Sequence, residues 1–349
     1  LRTTAADFEV EEIALYPPSG EGDHLFLWVE KVDVPAEALR RHVARAIGVP
    51  NMDVGMAGMK DRRAVTRQWL SVPRSAEGRL AAIDDDRIRV LNAVPHRHKL
   101  RTAHLAGNRF ALVVRGVEPD ALARIQVKLE RLQHSGVPNL FGSQRMGQGG
   151  STLAAGWALL RGSQRFVRVR TPDDTEHAVH LDDRNLRRLA ASALQAEVFN
   201  RTLARRMAEA RWRQVMDGDV CCKTISGGMF VTDDVAREQA RLDAAEVELT
   251  GPMWGPKMMR SAGVAGELEL AVLTELGIGE AEWSTLGHLA EGTRRPLAVR
   301  PGELSVSGAG DSVTVRFTLP AGAFATGVMH ELMGPHPDLD VASDAGGAA

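Results

Sequence analysis

The stretch GMAGMKDRRAVTRQWLSVP, Gly55 to Pro73, decides how the N-terminal third of the chain folds. Its first half opens with small residues and reads as a loop. Its second half, VTRQWLSVP, has the β-branched and aromatic content of a strand. Just upstream, PAEALRRHVARAIGVP predicts a helix, with Pro35 suited to a first helical turn and Leu39, Val43 and Ile47 spaced four apart on one face. Arg40, Arg41 and Arg45 lie off that stripe. Asp61 therefore falls in a loop between a helix and a strand, a single carboxylate between Lys60 and the pair Arg62 and Arg63.

Working outward, DFEVEEIALY alternates, PPSGEGD is turn chemistry and HLFLWVEKV is a second apolar run, so a hairpin-like pair is expected between Phe8 and Val34. Further strands are expected at RIRVLNAV and RFALVVRGV, with a helix from Pro119 to His134. The stretch GVPNLFGSQRMGQGGSTLAAGWALL, Gly136 to Leu160, passes from a Gly-rich loop into a helix whose start is marked by Ser151 or Thr152. GQGG alone suggests a nucleotide-binding hydrolase, but the loop lacks both GxxxxGK[ST] and GxGxxG. Backbone amides and Arg145 meeting an RNA phosphate at the helix entrance is the more modest reading. From about residue 151 to 299 the sequence is more helical and more acidic, with LAASALQAEVFNRTLARRM its clearest amphipathic helix, and it reads as a second unit. DSVTVRFTLPAG then alternates as a strand again and FATGVMHELM opens a helix. The tail, residues 336–349, is expected to be disordered. No internal repeat is visible.

A chain of 349 residues with 44% hydrophobic content exceeds what one core fills, since single cores stop growing near about 250 residues. Two domains are expected. The longest apolar runs, LFLWV and FALVV, fall short of the roughly 20 residues that cross a bilayer, and nothing at the start resembles a signal peptide, so a soluble, cytoplasmic protein is expected. The first residue is Leu1, not methionine, and residues missing or processed before it are expected. The two cysteines, Cys221 and Cys222, are adjacent, which gives neither a disulfide framework nor a CxxC pair for zinc. His96 and His98 lie in a basic run without nearby carboxylates, so no metal site is expected there.

The net charge of -2 hides a segregation. Between Arg87 and Arg115 there are seven bases, three histidines and no acid, and from Arg40 to Arg74 eight Lys and Arg face only Asp53 and Asp61. By contrast, Asp243 to Glu291 carries nine acids against Lys257 and Arg260. Such a distribution suits a protein that meets a polyanion with one face.

Taken with DFEVEE, SGEGDH, GNRFALVVR, ALQAEVFN, DGDV, TGPMWG and LPAGAFATGVMHEL, the runs AGMKDRRAVTRQW and GVPNLFGSQRMGQGG make the chain resemble the TruD-type tRNA pseudouridine synthases from end to end. Two departures are Leu140, where the family usually has an aromatic, and Met146, where it usually has Phe. The resemblance implies an α/β (α+β) pseudouridine synthase core around a mixed central sheet, built from residues 1–150 and 300–335, with a TruD-specific domain, 151–299, inserted into it as the second wall of an RNA cleft. It implies an isomerase acting on tRNA, typically at uridine 13 of the D arm, with no metal or organic cofactor. A monomer is the default expectation.

The implied chemistry fits a lone carboxylate. The bond from the ribose anomeric carbon to N1 of uracil breaks, the base turns, and C5 is joined instead; nothing is hydrolysed, so the paired carboxylates of glycosidases are not required. Two roles are open for Asp61, attack on the anomeric carbon or removal of the neighbouring ribose proton, and both need the anion. Lys60 adjoins it and is counted among the candidate substrate-binding residues, although adjacent side chains often diverge and another basic residue can be the partner of Asp61. Arg62, Arg63 and Arg67 suit phosphate equally well. A stacked uridine must be extruded onto aromatic surfaces, and Phe8, Phe141 and Phe324 occupy the family positions for that base, with Asn139 offering a donor and an acceptor to its edge. Trp69 is assigned to core packing. The rival class is a non-catalytic tRNA-binding or tRNA-folding protein.

Overall fold

The strand Phe8–Ala14 runs parallel to Val65–Pro73 on one side and antiparallel to Leu105–Arg115 on the other, and so sits inside an eight-stranded mixed sheet. The computed structural model describes residues 3–162, 166–170 and 176–334. The tail expected to be disordered lies outside the described residues. Across the sheet the order is Gly302–Ala309, Ser312–Pro320, Leu105–Arg115, Phe8–Ala14, Val65–Pro73, His24–Val32 and Ile88–His96, with the short strand Gly55–Met56 also paired to Val65–Pro73. All of these pairs are antiparallel except Phe8–Ala14 with Val65–Pro73. The hairpin expected between Phe8 and Val34 does not form, because Val65–Pro73 lies between the two strands and hydrogen-bonds to both.

Period-two alternation sorts the side chains of this sheet. On one face, Leu25, Leu27, Val29, Leu70 and Val72 pack with Leu39, Val43 and Ile47 of the helix Ala36–Ile47, and each such burial contributes about 1.5–3 kcal/mol. Pro35 stands at the N-cap position without a side-chain cap, and Gly48, at φ 66°, ends the helix in the left-handed conformation a C-terminal glycine allows. The opposite parity is polar and aromatic: Arg67 pairs with Glu30 at 2.8 Å, Arg109 with Glu11 at 2.9 Å, and the Trp28 and Trp69 rings lie 5.0 Å apart. Trp69 is half-buried in that second set.

The chain packs as two compact units, one running to His134 and resuming at Arg300, the other Ser135–Val299. The second unit thus begins ahead of residue 151, and the Gly-rich loop belongs to it. Its longest helix, Arg184–Ala208, is capped by Asp183, which accepts a hydrogen bond from the Asn185 amide. Ser151–Leu160 crosses that helix closely at Gly156, where a Cβ would stand 2.4 Å from the Ala190 carbonyl oxygen. The shorter helix is preceded by Gly150 in the left-handed region and has no side-chain cap, so neither Ser151 nor Thr152 plays the capping part their sequence position suggests. A four-stranded antiparallel sheet, in the order Met229–Val231, Val220–Lys223, Val247–Met253 and Thr293–Pro296, completes the unit. Phe199, Leu203, Cys221 and Leu249 close one of its cores, and Trp254 and Trp283 lie in another. Among the described residues no helix is long and apolar enough to cross a membrane.

Within this unit Arg294 and Glu269 form a pair at 2.7 Å with side chains 0% and 4% exposed, and Arg294 also donates to the Thr250 carbonyl oxygen. Removing one partner strands a charge in a low-dielectric interior, whereas the exposed pair Arg40–Glu37 is hydrated either way. Urea melts should show Glu269→Ala losing about 3–5 kcal/mol, with Glu37→Ala changing stability by about 1 kcal/mol or less.

Candidate functional site

The loop that carries Asp61 is fixed at its base by a close crossing of backbones. A Cβ on Gly55 would stand 2.3 Å from the Leu100 carbonyl oxygen and 2.4 Å from Ser71 Oγ, so only glycine fits there. Leu100 donates its amide to Ser71 Oγ at 2.8 Å, and the Ala103 amide donates to Ala57 at 2.8 Å. On the far side the Ala64 amide donates to the Arg62 carbonyl oxygen at 2.8 Å, a γ-type turn that returns the chain to the sheet.

Two buried lysines hold the loop between these ends. Lys60 Nζ lies 2.7 Å from Glu12 Oε2, with side chains 4% and 1% exposed. Lys31 Nζ donates to the carbonyl oxygen of Asp61 at 2.7 Å, and Lys31 has no exposed surface at all. Thus Lys60, the sequence neighbour of Asp61, turns to Glu12, and a lysine thirty residues away holds the aspartate's own peptide. Asp61 is half-buried, Arg62 and Arg63 are exposed, and Arg62 lies 3.4 Å from Asp33. Arg67, a candidate phosphate ligand from the sequence, is tied to Glu30 at 2.8 Å and Glu9 at 3.4 Å.

The charges under the loop bear on one another. Burial pushes the Lys31 ammonium down to about 8, against the pull of the Asp61 negative charge, while Lys60 adds to the fall and Asp33 resists it. Burial also raises the Glu12 carboxyl, and the Lys60 ammonium offsets only part of that rise. At neutral pH Lys31 stays cationic, and its field favours the Asp61 carboxylate.

In the same unit, Phe8 is 2% exposed, with its ring centroid 6.2 Å from Phe110, which lies 5.3 Å from Phe317. Phe324 is half-buried at the N-cap of the helix Ala325–Met333. The basic run is partly neutralised within the fold: Arg97 pairs with Glu21, Arg109 with Glu11 and Glu303, and Arg115 with Asp7.

The second unit carries Asn139, Phe141 and Arg145. The strand Val137–Pro138 pairs with Ala298–Val299 and brings residues 139 and 295 together. Asn139 is 7% exposed; its Nδ2 donates to the Pro296 carbonyl oxygen at 2.9 Å, and its Oδ1 accepts from Arg295. Asn200 clasps the backbone of Phe141 with two hydrogen bonds of 2.9 Å. Around the half-buried Phe141 ring stand Phe199, edge-on at 5.6 Å, and the guanidiniums of Arg295 at 4.1 Å and Arg145 at 5.6 Å. Arg145 donates to Ser192 Oγ, and its Nε is buried without a hydrogen-bond partner. Burial and the nearby Arg145 charge push Arg295 down to about 10, and burial lowers Arg145 as well.

Sequence reasoning passed over Lys31, Glu12 and Arg295 as site residues. The first two broke a visible rule: Lys31 shares parity with Leu25, Leu27 and Val29, and Glu12 with Phe8 and Val10, so each is a charge at a core position. Arg295 gave no local signal, since its contacts reach back some 150 residues. Among the described residues no three His, Cys, Asp or Glu side chains could hold a metal ion together.

Comparison with known proteins identifies the family and the fold. The sequence model of TruD, tRNA pseudouridine synthase D, matches residues 1–169 and 164–332. The tRNA pseudouridine synthase D of Anaeromyxobacter dehalogenans (strain 2CP-1) is 41% identical over 344 residues, spanning 99% of this chain and 95% of that protein. That of Geobacter metallireducens is 37% identical, spanning 97% and 96%. In a crystal structure from Methanosarcina mazei, of a protein designated tRNA pseudouridine synthase D, the chain superposes with a TM-score of 0.76 at 22% identity, over 97% of this chain and 94% of that one. The fold is a pseudouridine synthase core with a mixed central sheet and an inserted unit. The chain belongs to the TruD family.

The sign of the Lys31 linkage gives a test. Its folded value, about 8, lies below its ordinary 10.5, so the unfolded chain binds the extra proton between those pH values and stability contributed at this site rises with pH there. Below pH 8 the full penalty of burying the charge, roughly 3 kcal/mol, is present. The stability difference between the parent and Lys31→Met should therefore shift toward the parent by roughly 3 kcal/mol from pH 8 to 10.5, read by paired denaturant melts.

Proposed function

We propose that this protein isomerises uridine to pseudouridine in tRNA, at uridine 13 of the D arm, with Asp61 as the reacting carboxylate and no metal or organic cofactor. The observation that carries the reading is the Asp61 loop itself: a half-buried carboxylate on a backbone fastened by Lys31, beside a second buried lysine already paired to Glu12. A tRNA substrate fits an activity in the cytoplasm, with a monomer as the default assembly.

The reaction asks for a carboxylate that is ionised and still. An ordinary aspartate, at about 3.9, is ionised at neutral pH without an activating base, and the Lys31 charge favours the same form. Asp61 either attacks the anomeric carbon or removes the adjacent ribose proton; in each route the C1′–N1 bond breaks, uracil turns and C5 takes the place of N1. A detached uracil must be kept in place throughout. Phe141 and Phe324, both half-buried, are the rings offered to the extruded base, whereas Phe8, buried against Phe110, packs in the core. Asn139, with its amide held by Pro296 and Arg295, is a fixed polar edge, and Lys60 supports the loop beneath the sugar. Arg145, whose Nε is buried and unpartnered, and its neighbour Arg295 suit a phosphate of the same RNA.

Asp61→Asn keeps the size and removes the charge. It should fold, bind tRNA with an affinity near that of the parent and form no detectable pseudouridine or abasic site, since the glycosidic bond does not break. Clean variant protein that still turns over would return Asp61 to a structural role and leave a tRNA-binding or tRNA-folding protein as the better description. In the same assay, Phe141→Ala and Phe324→Ala should each lose about 1–3 kcal/mol of substrate stabilisation while remaining folded. A variant that unfolds yet keeps normal activity per folded molecule would make that ring a core residue only.

A further inference from the structure

Lys31 is a fully buried charge in the first unit. It occupies a core position on the strand His24–Val32, has no exposed surface, and is paired in register with Thr66, which is also fully buried. An apolar side chain would continue the series Leu25, Leu27 and Val29 and avoid the cost of stripping water from an ammonium. The structure spends that cost on one strong hydrogen bond, 2.7 Å to the Asp61 carbonyl oxygen.

We propose that Lys31 is a positioning residue for Asp61: its buried ammonium anchors the peptide of the loop and thereby sets where the carboxylate stands. This rests on the reading of Asp61 as the reacting group. The charged groups around Lys31 support it. From the loop come Asp61 and Lys60, from the end of its own strand Asp33, and from the strand Phe8–Ala14 Glu12, which is taken up by Lys60 at 2.7 Å. Lys60 has its own counterion in Glu12, and of the charges acting on Lys31 that of Asp61 is the largest. An anchor at the carbonyl of the reacting residue is one peptide from the side chain it orients, so a loosened loop displaces the carboxylate directly. Displacements near 1 Å are enough to cost about 100-fold in rate.

The test uses the full chain with tRNA transcript, reading single-turnover pseudouridine formation at saturating enzyme, tRNA affinity, and amide exchange over residues 57–64. Lys31→Met should lose about 100-fold in rate, bind tRNA about as well as the parent, and exchange faster in that segment. Lys31→Arg should recover much of the rate, and its rate should hold above pH 8, where the parent's declines as Lys31 loses its proton. A Lys31→Met variant that turns over like the parent, or whose rate and tRNA affinity fall together, overturns the proposal. If Lys31→Met does not fold, Lys31→Gln is measured in the same way, and a parent rate that stays flat to well above pH 8 counts against the anchor. A parent that forms no pseudouridine in tRNA defeats the isomerase reading, whereas unchanged exchange over 57–64 in the variant defeats the anchor independently.

Discussion

An ammonium inside a β-sheet must find fixed oxygen atoms to replace its water, and in this protein the oxygen that Lys31 reaches belongs to the peptide of Asp61. That single requirement ties the second strand to the loop preceding Val65–Pro73. The Lys60–Glu12 pair ties the same loop to the first strand. Because Val65–Pro73 lies between those two strands in the sheet, both anchors converge on the segment that leads into it. The strand order and the placement of Asp61 are therefore one problem, solved by the same register.

Much of this was legible in the sequence where the signal is local. The helix Ala36–Ile47 declares itself by its apolar stripe, and the last strand, Ser312–Pro320, by alternation. Pairing is not local, and the turn residues between Ala14 and His24 are equally compatible with a hairpin and with the crossover that leaves room for Val65–Pro73. The two-residue strand Gly55–Met56 is too short to carry a period. Ser151 and Thr152 look like caps because capping residues are recognised by type, yet Gly150 already holds the left-handed turn ahead of the helix.

The site shows the same division. Asp61, Asn139 and Phe141 stood out as residues in motifs, but their partners are set by tertiary contact. Lys31 and Glu12 were detectable as charges at core parity, a violation that local propensity does not explain. Arg295 was not detectable, because nothing near residue 295 announces that Asn139 and Phe141 lie beside it. Cation and ring there share one environment: the arginines lose hydration against Phe141 and Phe199.

The division of the chain has a consequence for its synthesis. Leu105–Arg115 is bordered on one side by Phe8–Ala14 and on the other by Ser312–Pro320, whose residues emerge from the ribosome only after the whole of Ser135–Val299. At about 5–20 residues per second, that strand waits on the order of ten seconds or more with one edge unpaired. The intervening unit is contiguous in sequence and can close in the meantime. A nascent chain thus carries a finished second unit while its first sheet still has an open seam, and an exposed edge of that kind recruits other strands. Arg109 and Arg115, charged residues on the waiting strand, make it a poor template for a neighbouring chain until its own last strand arrives.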